Sequence, residues 1–530
     1  MLKKPFILVA GLLVVGVVGA AIATSTAPDL VAEQIVVIPD PIDRDLDQIV
    51  ERDTIVALAS YNSTSYFLYR GQALGYEYEL LEDFAEEADV ELVMQVVPRD
   101  SILYYLNTGR GDIAAARLEP VAEDTARFAF SEGLYTTRAV LVQQEEPLNE
   151  DTEAPQLEAL PEGIAEELRR DSVELAQRES ELTPLQIRAR RVQTPADLAG
   201  RRVFLPEDDS YVDRLLEVED QITGDIRVVE VDTSSATLIR QVAVGNIELT
   251  AAQENVAELE EGYYGNLTLT PRIGEEHEVA WGVRKNAPAL RQALDRWILE
   301  NRDSGRWATL YRKYYVDRRG YRERVESEYL TGETGRISDY DDLLKRNAPA
   351  IGWDWRLLAA QTYQESRFEP NARSWAGAQG LLQLMPATAR EVNVANPYDP
   401  EENVAGAVRY LEWLTDTYWE EKIAEPKERL KFILASYNAG SGHVMDAQRL
   451  TEKYGGDPTV WADVAYWLLQ KSNAKYYNDP VVKYGYARGL EPVEYVSRIL
   501  SRYEHYAQFT DGAEGADAVP DTDAPAMPDA

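Results

Sequence analysis

Apolar residues in the first half of the chain fall into short runs that alternate with helix-spaced stripes. Residues 54–58 and 90–94 are compact apolar runs typical of buried strands, and residues 76–88 between them space their apolar side chains three and four positions apart. The alternation continues in further predicted elements: strands within 194–204, 227–229 and 278–283, and helices over 288–301 and 305–315. Short strands that alternate with helices predict an α/β domain with parallel strand pairing over residues 51–318.

The second half changes to helical spacing throughout. Residues 341–509 contain no strong strand pattern and predict an all-α domain. One helix is expected to start after Asp354, a good N-cap, and to end near Arg367, because Pro370 cannot continue it. Another is expected to begin near Lys427 and to stop at Gly440.

Outside these two domains the patterns change again. Residues 1–25 combine a lysine-bearing start, an apolar run and an Ala-x-Ala site, which predicts a secretory signal peptide or an N-terminal membrane anchor. Both alternatives imply export to the periplasm. Association with a membrane through this N-terminal segment is expected, and the choice of membrane is left open. The other predicted segments are a linker at 26–50, a charged insertion at 145–193, a linker at 319–340 and a disordered acidic tail at 510–530.

The composition argues against several kinds of partner and site. The net charge of −38, from 54 basic and 92 acidic residues, argues against nucleic acid as a partner. The chain has no cysteine, so disulfides, zinc–thiolate sites and a lipoprotein anchor are excluded. Its histidines, His277, His443 and His505, lack ligand spacing and are expected on the surface or in loops. We therefore expect no metal site, and the reaction implied by the resemblance described below needs no cofactor.

Glu365 is the strongest candidate for chemistry. It is predicted to lie in the last turn of a helix, where the negative end of the helix dipole disfavours ionisation of a carboxyl group. Burial against Tyr363, Phe368 or Trp375 would have the same effect. A carboxylic acid kept protonated near neutral pH is suited to protonating a glycosidic oxygen.

The segments around and after Glu365 match a known pattern. The chain reads Gln-Glu-Ser-Arg-Phe at 364–368, Gly-Leu-Leu-Gln at 380–383 and Ser-Tyr-Asn-Ala-Gly at 436–440. A late tyrosine, Tyr495, follows a Gly-Tyr-Ala-Arg-Gly segment. Together these resemble the soluble-lytic-transglycosylase domain of the goose-lysozyme-like superfamily, with Leu382 and Ser436 as small departures from its motifs.

The resemblance implies roles for particular residues. Glu365 would be the single acid and base, and Tyr495 would form a hydrogen bond close to it. Gln383, Tyr437 and Asn438 would line the sugar-binding subsites, and Ser366 would support the helix end or the substrate.

The implied reaction is non-hydrolytic cleavage of the β-1,4 bond between N-acetylmuramic acid and N-acetylglucosamine in peptidoglycan glycan strands, leaving 1,6-anhydromuramic acid ends. Two alternatives stay open. A hydrolytic muramidase would need a second carboxylate to activate water, and Asp399 and Glu401 are available in the sequence. A non-catalytic cell-wall sensor or binding protein is the other.

The first domain resembles periplasmic solute-binding proteins of the amino-acid-binding type, on the segments 75–81, 130–135 and 194–204. Members of that family bind a carboxylate with an arginine six or seven residues before their Phe-Ser pair, where this chain has Glu123 and Asp124. An acid at that place would repel a carboxylate, so a different grip is expected, and Arg117 is the candidate ligand contact. The pairing of the two domains resembles membrane-bound lytic transglycosylases whose first domain is regulatory, which implies a small ligand or muropeptide there.

Overall fold

The computed structural model describes residues 38–120, 122–145, 191–207, 211–231 and 233–510. The predictions for residues 1–25, for nearly all of the insertion 145–193 and for the acidic tail lie outside these ranges. Among the described helices, none has both the length and the apolar character needed to cross a membrane.

The first half of the described chain is built on one curled sheet and a small hairpin. Its strands are β1 (Thr54–Ala59), β2 (Phe67–Tyr69), β3 (Gln72–Leu74), β4 (Glu91–Val96), β5 (Ile113–Leu118), β6 (Ala129–Phe130), β7 (Tyr135–Gln144), β8 (Arg202–Pro206), β9 (Arg227–Val231), β10 (Thr250–Gln253), β11 (Leu267–Thr268) and β12 (Arg272–Val283). The sheet runs in the order β4-β1-β5-β12-β7-β10-β8-β9, with β6 beside β12 and β11 beside β7, while β2 and β3 pair separately.

The predicted parallel pairing is confirmed at both sides of the sheet and wrong at its centre. Strand β1 runs parallel to β4 and β5, and β8 runs parallel to β9 and β10. The long strands β7 and β12 pair antiparallel, and β12 also pairs with β5 through its last residues. The long strands β7 and β12 lie between the two parallel groups and divide the sheet into two lobes. Short apolar runs in the sequence could not predict this division.

Helices cover the two lobes and continue into the segment predicted as a linker. They are α1 (Leu46–Glu51), α2 (Tyr76–Glu87), α3 (Ile102–Asn107), α4 (Ala122–Arg127), α5 (Tyr211–Glu219), α6 (Ser235–Ala243), α7 (Glu254–Tyr264), α8 (Pro288–Asn301), α9 (Gly305–Tyr311), α10 (Arg318–Val325) and α11 (Thr331–Thr334). A π-helical turn, Arg312–Val316, extends α9. Tyr321 of α10 and Leu330 are buried against the core of the lobes, so residues 319–340 are packed structure with a charged exterior.

The second half is helical, as predicted. It contains α12 (Asp341–Asn347), α13 (Trp355–Ser366), α14 (Pro386–Glu391), α15 (Pro400–Leu414), α16 (Pro426–Ala439), α17 (Ser441–Tyr454), α18 (Trp461–Gln470), α19 (Ala474–Tyr477) and α20 (Leu490–Phe509). A π-helical turn, Thr415–Trp419, extends α15. The expected boundaries of α13 and α16 are confirmed, including the stop at Gly440.

The two halves are joined by more than the connecting chain. Leu68 of the β2–β3 hairpin is buried in the hydrophobic core of the helical half. In return, Tyr506 of α20 donates a 2.7 Å hydrogen bond to the carbonyl oxygen of Gly71 in that hairpin. His505, expected at the surface, is instead buried at this junction, where its ring contacts the Tyr66 hydroxyl. Its position on the inward face of α20 explains the difference.

Candidate active site

Glu365 lies in the last turn of α13, as predicted. The helix starts where the Asp354 carboxylate accepts a hydrogen bond from the backbone of Arg356, and it ends with Arg367 in the left-handed conformation at φ 53°. Phe368 follows with φ 63°. Left-handed backbone is costly for residues with side chains and concentrates at functional sites, and here two such residues in succession end the helix directly after Glu365 and Ser366.

The Glu365 carboxyl group is enclosed by protein although the residue is partly exposed. Burial raises its pKa to about 7, and the hydrogen bond from Tyr495 opposes that rise. The Tyr495 hydroxyl donates to Oε1 of Glu365 at 2.5 Å, and Nε2 of Gln361 donates to the Tyr495 oxygen at 3.2 Å. Trp375, one of the three alternative aromatics named for the burial of Glu365, is 99% exposed and is not that cover.

Gln383 belongs to a tightly held loop between α13 and α14. Its backbone is left-handed at φ 46°, and its Nε2 donates to the carbonyl oxygens of Gly380 at 2.8 Å and Ala372 at 3.1 Å. The Tyr437 hydroxyl donates to the carbonyl oxygen of Leu382 at 2.7 Å. Two of the predicted substrate residues therefore meet in this loop, with Tyr437 bridging from α16.

Ser366 and Asn438 complete the predicted set. The Ser366 hydroxyl donates to the carbonyl oxygen of Thr362 at 3.2 Å, which supports the end of α13. Asn438 is exposed in the last turn of α16, directly after Tyr437. Proximity to Glu365 raises the pKa of both Tyr437 and Tyr495, in each case after the larger effect of burial. Glu365, Tyr437 and Tyr495 thus form one cluster.

Two residues that support the site were missed by sequence reasoning. The buried Asn403 of α15 accepts from the backbone of Leu382 at 2.8 Å and donates to the carbonyl oxygens of Gln379 and Pro397 at 3.0 and 2.8 Å. Gln361 holds Tyr495 from one turn before Glu365. In the sequence, Asn403 and Gln361 are amide residues at positions within an apolar helical stripe. An amide buried at such a position needs hydrogen-bond partners, so the pattern could have indicated a polar contact.

The carboxylates considered for hydrolysis have structural partners elsewhere. Asp399 caps α15 by accepting from the backbone of Glu402 at 2.9 Å. Glu401 is exposed and pairs with Arg346 at 2.7 Å. Neither is a partner of Glu365 in the contacts of the described residues.

A second group of charged residues lies in the first half. The backbone of Arg117, left-handed at φ 52°, donates to Oε2 of Glu77 at 3.3 Å, and burial raises the pKa of Glu77 to about 7. Glu119, which follows β5, pairs with Arg214 of α5 and with His277 of β12, each at 2.8 Å. These contacts bridge the two lobes of the sheet.

Comparison with known proteins gives consistent results for both halves. Residues 342–460 match the family described as Transglycosylase SLT domain, and residues 54–317 match Bacterial extracellular solute-binding proteins, family 3. The chain is 31% identical to a membrane-bound lytic murein transglycosylase F of Desulfosudis oleivorans, over 86% of this chain and 90% of that protein. A protein with the same name from Stutzerimonas stutzeri is 30% identical over 87% of this chain and 86% of its own length.

Two solved structures are similar to about half of the chain. The amino acid ABC transporter substrate-binding protein AbpA of Streptococcus pneumoniae, bound to L-arginine, is 17% identical, with a TM-score of 0.39 over 53% of this chain and 100% of that protein. A mutant of ArgBP from T. maritima is 16% identical, with a TM-score of 0.39 over 51% of this chain and 99% of that one.

Proposed function

Since this chain belongs to the family of membrane-bound lytic murein transglycosylase F and is a peptidoglycan lytic transglycosylase with a solute-binding-like first domain, we propose that Glu365 is its only acid and base. The observation that carries this assignment is the enclosed Glu365 carboxyl group, with a pKa raised to about 7 and a hydrogen bond from Tyr495. Near neutral pH such a group exists in both protonation states, which one residue needs in order to act first as an acid and then as a base.

In the proposed reaction, protonated Glu365 gives its proton to the oxygen between N-acetylmuramic acid and N-acetylglucosamine. The C1–O bond breaks, the N-acetylglucosamine end leaves as an alcohol, and the muramyl acetamide oxygen shares the positive charge that develops at C1. Ionised Glu365 then removes the proton from the muramyl C6 hydroxyl, and that oxygen bonds to C1. The cycle restores protonated Glu365, produces a 1,6-anhydro sugar and consumes no water.

The surrounding residues orient the sugars and the acid in this proposal. Tyr495 donates to Glu365 and stabilises its ionised form between the two steps. Gln383, Tyr437 and Asn438 hold N-acetyl groups, and Ser366 keeps the end of α13 in place. Hydrolysis is disfavoured because Asp399 and Glu401, the two carboxylates considered for activating water, are engaged in a helix cap and a surface ion pair.

Mass spectrometry of the products released from purified peptidoglycan by the full chain tests this function. We expect anhydromuramyl products, lighter by one water than hydrolysed ones, and no release by Glu365→Gln. Glu369→Gln, at an exposed glutamate four residues later, is the matched control and should retain activity. Products that incorporate heavy oxygen from labelled water would overturn the lytic reaction, and full activity of Glu365→Gln would overturn the assignment.

The division of labour is also part of the proposal. Residues 51–318 bind a small ligand or muropeptide, residues 341–509 cleave the glycan, and residues 1–25 deliver the chain to the periplasm and the membrane. Arg117 is proposed to contact the ligand, because it adjoins Glu77 and lies two residues before the lobe-bridging Glu119.

Calorimetric titration of the Glu365→Gln chain with defined muropeptides and with free amino acids tests the ligand site. Replacing Arg117 by alanine should weaken binding about tenfold or more, because a guanidinium contact to an anionic group is lost. Arg110→Ala, at an exposed arginine, should leave binding unchanged. Absence of binding by both ligand classes, or equal affinity of the Arg117→Ala chain, would overturn it.

A further inference from the structure

Exposed apolar side chains concentrate in one segment of the helical half. Of the fourteen large apolar side chains that are exposed in the described parts of the chain, six lie within residues 454–490: Tyr454, Val460, Tyr466, Tyr484, Tyr486 and Leu490. A single exposed ring, such as that of Trp375, is ordinary in a soluble protein. A concentration of them usually marks a surface that another molecule covers.

The tyrosines of this segment form a packed set on the surface of the protein. Trp467 of α18 is buried beneath them, and its ring lies 4.9–5.2 Å from the rings of Tyr454, Tyr466 and Tyr476. The next residue, Tyr477, meets the ring of Tyr486 at 5.7 Å. The helix that carries Tyr476 and Tyr477, α19, has no buried residue. We call Tyr454, Tyr466, Tyr476, Tyr477 and Tyr486 the tyrosine face.

Cations without an acidic partner accompany the tyrosine face. Residues 472–490 contain the exposed cations Lys475, Lys483 and Arg488 and one acidic residue, Asp479. Asp479 is buried and pairs with Lys453 at 2.5 Å, and none of the ion pairs among the described residues includes the three exposed cations. In a chain whose net charge is −38, this segment is therefore locally positive.

Lys475 lies directly against the tyrosine face. Its Nζ atom is 4.8 Å from the centre of the Tyr476 ring and donates a 3.2 Å hydrogen bond to the Tyr476 hydroxyl. Lys483 and Arg488 stand on either side of Tyr486, whose ring continues the face. The cations and the rings thus belong to the same surface.

This combination matches the headgroup region of an anionic membrane. A tyrosine places an apolar ring and a polar hydroxyl group at the boundary between headgroups and acyl chains, and lysine and arginine attract lipid phosphates there. A strongly acidic protein is repelled by such a membrane except where its cations outnumber its acids.

Other occupants fit the surface less well. Neutral sugar rings need no cations. A single carboxylate of a peptide favours cations that converge on one point, whereas Lys475 belongs to α19, and Lys483 and Arg488 belong to the segment before α20. Headgroups spread over a plane match cations that are spread in this way.

We propose that the tyrosine face, with Lys475, Lys483 and Arg488, is a second membrane-contact surface, which binds anionic phospholipid headgroups without inserting a helix. It adds to the attachment proposed for residues 1–25, and it does not depend on the role of Glu365. Contact at this face places the helical half, and not only the N-terminal segment, at the lipid surface.

A fluorescent label can test this surface in the full chain, because the chain has no cysteine of its own. Ala474→Cys, at the exposed first residue of α19, carries an environment-sensitive dye, and Ala424→Cys, exposed between Glu421 and Glu425, is the matched control. Vesicles of phosphatidylethanolamine and phosphatidylglycerol with brominated acyl chains should quench the dye at position 474 and leave it unquenched at 424. Vesicles of phosphatidylcholine alone should quench neither.

Charge reversal tests the cations. In Lys475→Glu combined with Lys483→Glu, the equilibrium for contact, read from the quenched fraction at saturating lipid, should weaken about tenfold or more. Lys285→Glu combined with Lys427→Glu changes the net charge equally at two exposed lysines elsewhere and should keep the quenching. Activity of both variants on soluble glycan strands should stay within about twofold of the parent, because the changes are on the surface.

Sedimentation with the vesicles separates this surface from the N-terminal attachment. If residues 1–25 hold the chain on lipid, the Lys475→Glu and Lys483→Glu chain loses the quenching but still sediments. If it no longer sediments, the N-terminal attachment fails while the surface stands. Equal quenching at positions 474 and 424, equal quenching in the two charge variants, or a dye at 474 that responds to peptidoglycan but not to vesicles would overturn the surface.

Discussion

Tyr495 and Glu365 are 130 residues apart in the chain and share a hydrogen bond of 2.5 Å. Burial and this hydrogen bond shift the pKa of the Glu365 carboxyl group in opposite directions. Burial favours its neutral form, the tyrosine hydroxyl favours its ionised form, and burial prevails, because the pKa is raised to about 7. Removing the Tyr495 hydroxyl should therefore shift the pKa of Glu365 in a known direction.

Replacing Tyr495 by phenylalanine should raise the pKa of Glu365 further. Activity needs protonated Glu365 at the start of the cycle, so the alkaline limb of the pH profile of kcat/KM, which we expect near pH 7 in the parent, should move to higher pH. The maximal kcat should fall about tenfold, because the ionised intermediate state loses a charged hydrogen bond. Tyr503→Phe is the control, since that hydroxyl donates to Asp354 at the other end of α13 and its loss should leave the limb in place. A shift to lower pH in Tyr495→Phe would contradict the arrangement.

Glu365 should also make the stability of the protein depend on pH. A carboxyl group whose pKa rises from 4.5 to about 7 on folding binds more protons in the folded state between those values, so the free energy of unfolding decreases as pH rises through that window. Glu365→Gln avoids the penalty. The free energy of unfolding of Glu365→Gln minus that of the parent should increase by about 1–3 kcal/mol from pH 4 to pH 8, measured by denaturant unfolding. For Glu369→Gln the difference from the parent should not change with pH. A difference that is also independent of pH for Glu365→Gln would refute the assigned pKa.

Asn403→Ala should loosen the loop that contains Gln383. Its side chain holds the backbone of Leu382, Gln379 and Pro397, and truncation leaves these buried groups without their partner. We expect a loss of about 2–4 kcal/mol in the free energy of unfolding and a higher KM for glycan strands. Asn478→Ala, whose amide makes one exposed bond to Ala474, should cost much less. Equal costs for the two variants would show that the loop does not depend on Asn403.

Gly71→Ala should disturb the contact of the β2–β3 hairpin with α13 and α20. A Cβ atom at Gly71 would lie 2.7 Å from the Tyr506 hydroxyl, 2.8 Å from Phe368 and 3.0 Å from Tyr363. Gly265→Ala is the matched control, because Gly265 has a similar φ of 67° and nothing within 4 Å of the added atom. Both variants should lose about 1 kcal/mol of stability from backbone strain. Gly71→Ala should lose more than Gly265→Ala because of the overlap, and only Gly71→Ala should also lower kcat. Unchanged kcat in Gly71→Ala would separate the hairpin from catalysis.

Local patterns predicted the local structure well. The apolar run at 54–58 became β1, the cap at Asp354 starts α13, and Gly440 ends α16, because each depends on residues close in sequence. Glu365, Tyr437 and Tyr495, which the sequence motifs singled out, lie in one cluster, and the roles assigned to them stay predictions.

Contacts between distant segments were beyond sequence reasoning. The antiparallel crossing of β7 and β12, the burial of His505 and the exposure of Trp375 all depend on which surfaces meet, and no periodicity within one segment encodes that choice. Asn403 was hidden for the same reason. Its backbone partners Gln379 and Leu382 precede α14 and Pro397 follows it, and the position of these two segments relative to α15 is set by the tertiary fold.

The burial of Leu68 bears on how far the two halves are modular. A fragment that begins after residue 318 would lack Leu68, whose side chain fills the core of the helical half. Tyr506 and Phe509 of α20 would then be exposed to water, because their partners in the first half would be missing. The boundary between the two matched families is therefore not a boundary of folding, and exchanging either half between relatives would require the hairpin and α20 to be exchanged together.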